Sequence, residues 1–206
     1  MSTMITPIAS KITDTSRRGF MSGLGKATLS AAAVGLIAGC NSMAGEKSMA
    51  SGASGDTAGD LWILNDALGL EHQAINAYQL GAESGLLEEA VLAIAVSFQS
   101  QHKGHRDVLA GAVSALGGTP VEAKSMGEYA AELNAGALKN QTDVLMLAAR
   151  LEKEAVEGYL SVIPKFGDIA YSHVAARIAA DETMHWTVLA QALGLALPQE
   201  ALSFGA

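Results

Sequence analysis

The sequence predicts an all-α fold, an antiparallel four-helix bundle with a long crossover between its second and third helices. Three observations carry this. The chain of 206 residues is half hydrophobic, poor in aromatics (5%) and has only four prolines, a composition that favours helices. From Asp60 onward it divides into four long segments of helical apolar periodicity. Those segments also repeat. Residues 70–78, LEHQAINAY, match residues 151–159, LEKEAVEGY, and residues 102–109, HKGHRDVL, match residues 182–189, ETMHWTVL.

In chain order, the first segment runs from about Asp60 to Ala82. The second runs from about Leu86 to Leu116 and stops at Gly117–Gly118. The third runs from about Thr142 to Ile163 and stops at Pro164, and the fourth from about Asp168 to Leu193, stopping at Gly194. Glycine and proline at these breaks are ordinary helix-end signals. Short loops join the first segment to the second and the third to the fourth, so each pair should form an antiparallel hairpin. The connection Thr119 to Gln141 holds a shorter helical pattern, about Met126–Leu138, and is long enough to cross the length of a bundle. Leu64/Leu145, Ala67/Ala148, Glu71/Glu152 and Tyr78/Tyr159 keep a shift of 81, whereas His105/His185 and Leu109/Leu189 keep a shift of 80. The one-residue slip fits in a loop, so the domain, 60–206, reads as two hairpins of common design.

The first 40 residues read as an address. SRRGFM, residues 16–21, precedes a mildly hydrophobic run from Ala27 to Ala38 and then IAGC, residues 37–40. Arg17–Arg18 followed by Phe20 resembles a twin-arginine export signal, and IAGC resembles a lipobox in which Cys40 is lipidated. The apolar run is shorter than the ~20 residues a transmembrane helix needs. Residues 41–59 are rich in Gly, Ser and Ala and read as a flexible linker. The protein is therefore expected to be exported, on the periplasmic or cell-envelope side of a membrane, held by a lipid anchor. Cys40 is the only cysteine, which excludes an internal disulfide and a cysteine-based metal site.

The formal net charge is −8. Beyond Cys40, 9 Lys and Arg stand against 20 Asp and Glu, a balance of −11. Lys and Arg are scattered, which argues against nucleic acid as a partner. An acidic domain also gains nothing from an anionic membrane surface, so the anchor must do the holding.

The repeat points to chemistry. Glu71 and Glu152 stand at matching places on the first and third helices, and the fourth offers Glu182-x-x-His185. The second offers His102-x-x-His105 at the matching position. Residues three apart on a helix share a face. A two-metal site inside a four-helix bundle needs one Glu from each of two helices and Glu-x-x-His from each of the other two. The chain has that arrangement, with His102 in place of one Glu. Three carboxylates converging in an apolar core would be very costly without a cation. His72 lies about 100° from Glu71 around its helix and His173 has no repeat partner, so both read as structural, as does Trp186. Arg106 and Asp107 read as a surface pair worth little.

On these residues, 60–195 resemble the ferritin-like superfamily, and in particular bacterial exported ferritin-like domain proteins. The ordered set LE…HxxH…LE…ExxH, doubled at nearly constant shift, is the specific part of the likeness. The resemblance implies a dinuclear site, with iron the usual metal, and iron oxidation or oxygen and peroxide chemistry. It implies Glu71 and Glu152 as single carboxylate ligands, Glu182 as a bridge, and His105 and His185 as ligands of one metal each. His102 stands where the family has its second bridging Glu. The ligand set becomes three Glu and three His, with charge −3 instead of −4, and this admits manganese, zinc, copper or a mixed pair beside iron.

In the wider di-iron family an Asp at the place of Asp181 orients the histidine of the facing helix, here His105. Gln101 holds the matching position and would serve His185, because a metal-bound His usually donates its other N–H. Tyr78 and Tyr159, two turns beyond their glutamates, are candidates for hydrogen bonds to ligands, for electron transfer, or for plain packing. Gln99 is a further candidate to line the face. The non-catalytic alternative is a metal-binding or stress-related envelope protein, akin to the desiccation-related branch of the superfamily. A lipid-tethered subunit fits poorly into a closed storage cage, whereas a homodimer through exposed apolar faces stays compatible.

Overall fold

The computed structural model describes residues 56–205. The expected export signal, Cys40 and all but the last few linker residues lie outside this range. Five α-helices follow one another: α1 (Thr57–Glu83), α2 (Glu89–Ala115), α3 (Met126–Glu132), α4 (Gln141–Val162) and α5 (Ile169–Ala192). There is no strand among the described residues. The four long helices form an all-α bundle, and α3 lies in the crossover against α1.

Every α-helix except α2 begins where a polar side chain satisfies a free backbone N–H group. Asp56 accepts from the Gly59 N–H, and this cap starts α1 at Thr57, one turn before the apolar periodicity becomes visible. Ser125 and Glu128 form a reciprocal capping box at the start of α3. Asn140 caps α4 and Asp168 caps α5. The helical pattern expected over Met126–Leu138 is interrupted: α3 ends at Glu132, Asn134 turns left-handed (φ 52°), and a single 3-10 turn covers Ala135–Ala137. At the end of α2, Gly117 (φ 77°) lets the Gly118 N–H reach back to the Val113 carbonyl, and Gly194 (φ 67°) does the same service for α5. Pro164 sits in a 3-10 turn, Ile163–Lys165, that ends α4.

Polarity along the helices fixes the topology. One apolar cluster contains Leu64, Leu68, Leu109, Val113, Tyr159 and Ile178; the other contains Tyr78, Phe98, Leu145, Ala149 and Leu189. Helix α1 runs from the first cluster to the second, and α2 runs back. Helix α4 then runs from the second cluster to the first, parallel to α2, so the crossover spans the bundle's length. Helix α5 returns, and α1–α2 and α4–α5 are the two closely packed hairpins.

The crossover is laced to α1. Asn65 donates to the Thr119 carbonyl and accepts from the Val121 N–H, and the His72 ring bonds the Val121 carbonyl at 3.0 Å. A side chain at Gly118 would collide with Leu61. At the same end of the bundle, the buried Asp60 carboxylate accepts from the Gly167 and Asp168 N–H groups at 2.7 and 3.0 Å, tying α1 to the α4–α5 turn. Between the two apolar clusters, all four long helices place polar residues at the same level.

Candidate metal centre

Those polar residues are Glu71 on α1, His102 and His105 on α2, Glu152 on α4, and Glu182 and His185 on α5, and all six are buried. Each occupies the core stripe of its helix. Glu71 is three residues past Leu68, His105 four before Leu109, Glu152 four before Val156, and Glu182 four past Ile178. The helical repeat that buries those neighbours buries the ligand candidates with them. Glu182, at 0% exposed, is the most enclosed.

Ligand-type atoms of the six fall into two overlapping groups, each within 4.8 Å: Glu71, His102, His105 and Glu182, and His102, Glu152, Glu182 and His185. Glu182 and His102 belong to both. Glu182 Oε1 lies 3.0 Å from His105 Nδ1, while its Oε2 lies 3.0 Å from His185 Nδ1. His102 turns both nitrogens into the cluster, Nδ1 to Glu71 Oε2 at 2.8 Å and Nε2 to Glu152 Oε1 at 3.2 Å. The imidazole therefore spans the two groups with one nitrogen on each side.

The outer contacts cross between hairpins. The His105 Nε2 lies 3.2 Å from Asp181 Oδ2, and the His185 Nε2 lies 2.7 Å from Gln101 Oε1. With Nε2–H donated outward, each Nδ1 is left aimed at the cluster, the tautomer arrangement a metal-bound histidine needs. The Tyr78 hydroxyl donates to Glu152 Oε1, and the Tyr159 hydroxyl donates to Glu71 Oε1 at 2.5 Å. Each tyrosine serves the glutamate of the opposite hairpin. The Phe98 ring stacks on His185 at 4.1 Å between centroids.

Gln99 is buried but turned elsewhere, donating to the Ile75 carbonyl and Gln79 and accepting from Lys103. His72 bonds the crossover, and Arg106 pairs with Asp107 at 2.7 Å on the surface. Trp186 packs edge-on against Phe204. Phe98 and Asp60 carry no sign in the sequence beyond their spacing: Phe98 lies four before His102, and Asp60 looks like any first-turn acid.

Burial alone would push the imidazoles towards neutrality, but the facing carboxylates reverse this and raise His102 to about 11 and His105 to about 10. His185 is raised for the same reasons, by Glu152 and Glu182. Burial pushes the Glu71 and Glu152 carboxyls up, yet His102 with His105 or His185 pulls both below the ordinary range. Glu182 stays raised, with burial the largest cause. Burial and the neighbouring carboxylates push both tyrosine hydroxyls well up.

The donor set fits a pair of cations. It combines hard carboxylates with imidazoles, a mixture that suits iron, manganese and zinc. In addition, His105 Nδ1 and Glu182 Oε1 are buried without a hydrogen-bond partner among the described residues, although they lie 3.0 Å apart. Both atoms point at the space a metal would share with Glu71, and an unpaired buried polar atom is costly.

A family model described as Ferritin-like domain matches residues 59–195. The crystal structure of a conserved hypothetical protein, rv2844, from Mycobacterium tuberculosis is similar in fold, with a TM-score of 0.57 at 22% identity, over 70% of this chain and 97% of that one. No curated protein matches the chain.

The shifts set a pH dependence for the metal-free protein. Histidines raised from 6.5 stabilise fully below about 6.5 and lose that contribution as pH climbs through their folded values. Glu71 and Glu152, lowered from 4.5, stabilise fully above about 4.5 and lose it as pH falls. Glu182, raised, adds to the alkaline loss. Urea midpoints of the metal-free protein should therefore peak between about pH 4.5 and 6.5 and decline on both sides. A midpoint that climbs steadily above about pH 7 contradicts this account.

Proposed function

The chain belongs to the Ferritin-like domain family, and on that premise we propose that it binds two metal ions, iron first among them, in the buried carboxylate–histidine cluster, and that it oxidises iron or reduces oxygen or peroxide there. The observation that carries this is the pair of overlapping four-residue groups that share Glu182 and His102. Glu71 and His105 would hold the ion on one side, and Glu152 and His185 would hold the ion on the other. Glu182, whose two oxygens face His105 and His185 separately, would serve both. Iron bound there would supply the electrons for reducing oxygen or peroxide.

The chain's residues do the rest. Glu71, Glu152 and Glu182, all buried, would neutralise the cationic charge in a largely apolar core. Asp181 and Gln101 hold His105 and His185 with Nδ1 facing inward. Tyr78 and Tyr159 pin one oxygen each of Glu152 and Glu71; Glu152 Oε2 faces His185, and Glu71 Oε2 faces His102 and His105. Metal binding displaces the protons that the histidines carry, so affinity rises with pH. We further propose that Arg17–Arg18 direct export and that a lipid on Cys40 tethers the domain in the cell envelope. Among the described residues no helix is long and apolar enough to cross a membrane.

His102 favours a second reading. A neutral imidazole has one free nitrogen lone pair, so it ligates one metal and cannot bridge two as a carboxylate does, and the lower ligand charge suits manganese, zinc or a mixed pair. In that reading the same residues hold metal without turnover, and the protein is a metal-binding or stress-protective component of the envelope.

Anaerobic loading with ferrous iron followed by air separates the two. Turnover is expected to give oxygen uptake and a ligand-to-metal absorption band, and His102→Glu should keep its metal and strengthen both signals. Tight zinc or manganese binding with no oxygen consumption rejects the redox reading. Asp181→Ala and Gln101→Ala should each weaken Mn(II) binding by about 10–100-fold, measured by calorimetry. Cys40→Ala should release the protein from the membrane fraction; a variant that stays membrane-bound rejects the tether.

A further inference from the structure

A cavity of about 140 Å³ adjoins the centre. Its floor is formed by Glu71, His102, Glu152 and Glu182, with Tyr78 and Tyr159 beside them. Its walls come from all four long helices and are mostly small or aliphatic side chains, among them Ala74, Val91, Ala95, Leu145 and Ala148, with Gln73, Phe98 and Glu154 also on the lining. Leu70, Ile94 and Val188, which also line it, are exposed, so the apolar lining reaches the surface. It meets the cluster on the His102 side: among its lining residues are His102 and all three glutamates, but neither His105 nor His185.

We propose that this cavity is a binding site for a small uncharged apolar molecule, no larger than a benzene ring, held against the His102 face of the centre. Two physical arguments choose this occupant. A buried water needs two to four polar partners, and away from the floor only Gln73 and Glu154 among the lining residues offer any. Enclosed apolar cavities of about 150 Å³ take up benzene or xenon, which sets the size of guest that a space of this volume accepts. The alanines keep the space open: at 74, 95 and 148 a leucine would project straight into it. Ions and hydrogen-bonding solutes would forfeit their hydration along such a wall, so the cavity discriminates by polarity before the centre is reached.

Binding of the guest does not need the metal, whereas its place beside reactive metal rests on the function proposed above. Xenon and benzene are the probes, applied to the full chain with and without Mn(II). Xenon pressurisation of crystals should give an anomalous peak between Ala95, Ala148 and the cluster, and benzene should raise the melting temperature. Both effects should be lost in Ala148→Leu and in Ala95→Leu, while Mn(II) binding persists in whichever variant folds. Xenon without benzene marks a gas-sized guest and both together mark a ring-sized one; either result supports the proposal. Neither probe binding, or binding unchanged in both leucine variants, overturns it. If the probes bind and Mn(II) does not, the metal reading fails and the cavity stands. If Mn(II) binds and the probes do not, the cavity fails and the metal reading stands.

Discussion

The structure turns on one constraint: three carboxylates and three imidazoles are held out of water at a single level of an apolar bundle. Burying charge costs several kcal/mol per ion unless it is paired and hydrogen-bonded. The folded chain meets that cost by crossing its contacts. Tyr78 on α1 serves Glu152 on α4, and Tyr159 on α4 serves Glu71 on α1. Gln101 on α2 serves His185 on α5, and Asp181 on α5 serves His105 on α2. Every support is exchanged between the two hairpins. The cluster is therefore also the polar joint that sets how one hairpin meets the other, with an apolar cluster packed on each side of it.

His102 breaks the exchange. It has no outward partner of the kind that Asp181 and Gln101 provide, and both its nitrogens face inward, one towards each metal group. Glu182, its counterpart in the repeat, also reaches both groups, but with two oxygens of one anionic carboxylate. The centre is thus symmetric in position and asymmetric in charge. The cavity lies on the His102 side of this asymmetry, where the walls are mostly aliphatic, and the side with Asp181 and Gln101 is polar.

The bundle was legible because its signals are local and doubled. Glycine at 117 and 194 marks helix ends through backbone conformation, and the constant shift between Glu71 and Glu152 aligns two hairpins without any knowledge of packing. The ligand candidates were legible for the same reason, since i, i+3 spacing fixes a shared helix face. What escaped depends on neighbours distant in sequence. Asp60 finds the α4–α5 turn more than a hundred residues away. Phe98 finds His185, and each tyrosine finds the other hairpin's glutamate; spacing along one helix says only that they point inward. Gln99 shows the converse. Its spacing puts it near the ligand face, but the Ile75 carbonyl and Gln79 capture its amide before it reaches the cluster. A cavity is the least legible feature, because it is a remainder left by four helices together.

The central claim is that Glu182 and His102 stand between two metal ions. Anomalous diffraction from crystals saturated with Mn(II) tests it most directly. The account predicts two peaks inside the bundle, one among Glu71, His105 and Glu182 and one among Glu152, His185 and Glu182, with His102 between them. A bundle that keeps its fold at saturating Mn(II) and shows no peak at this level contradicts it.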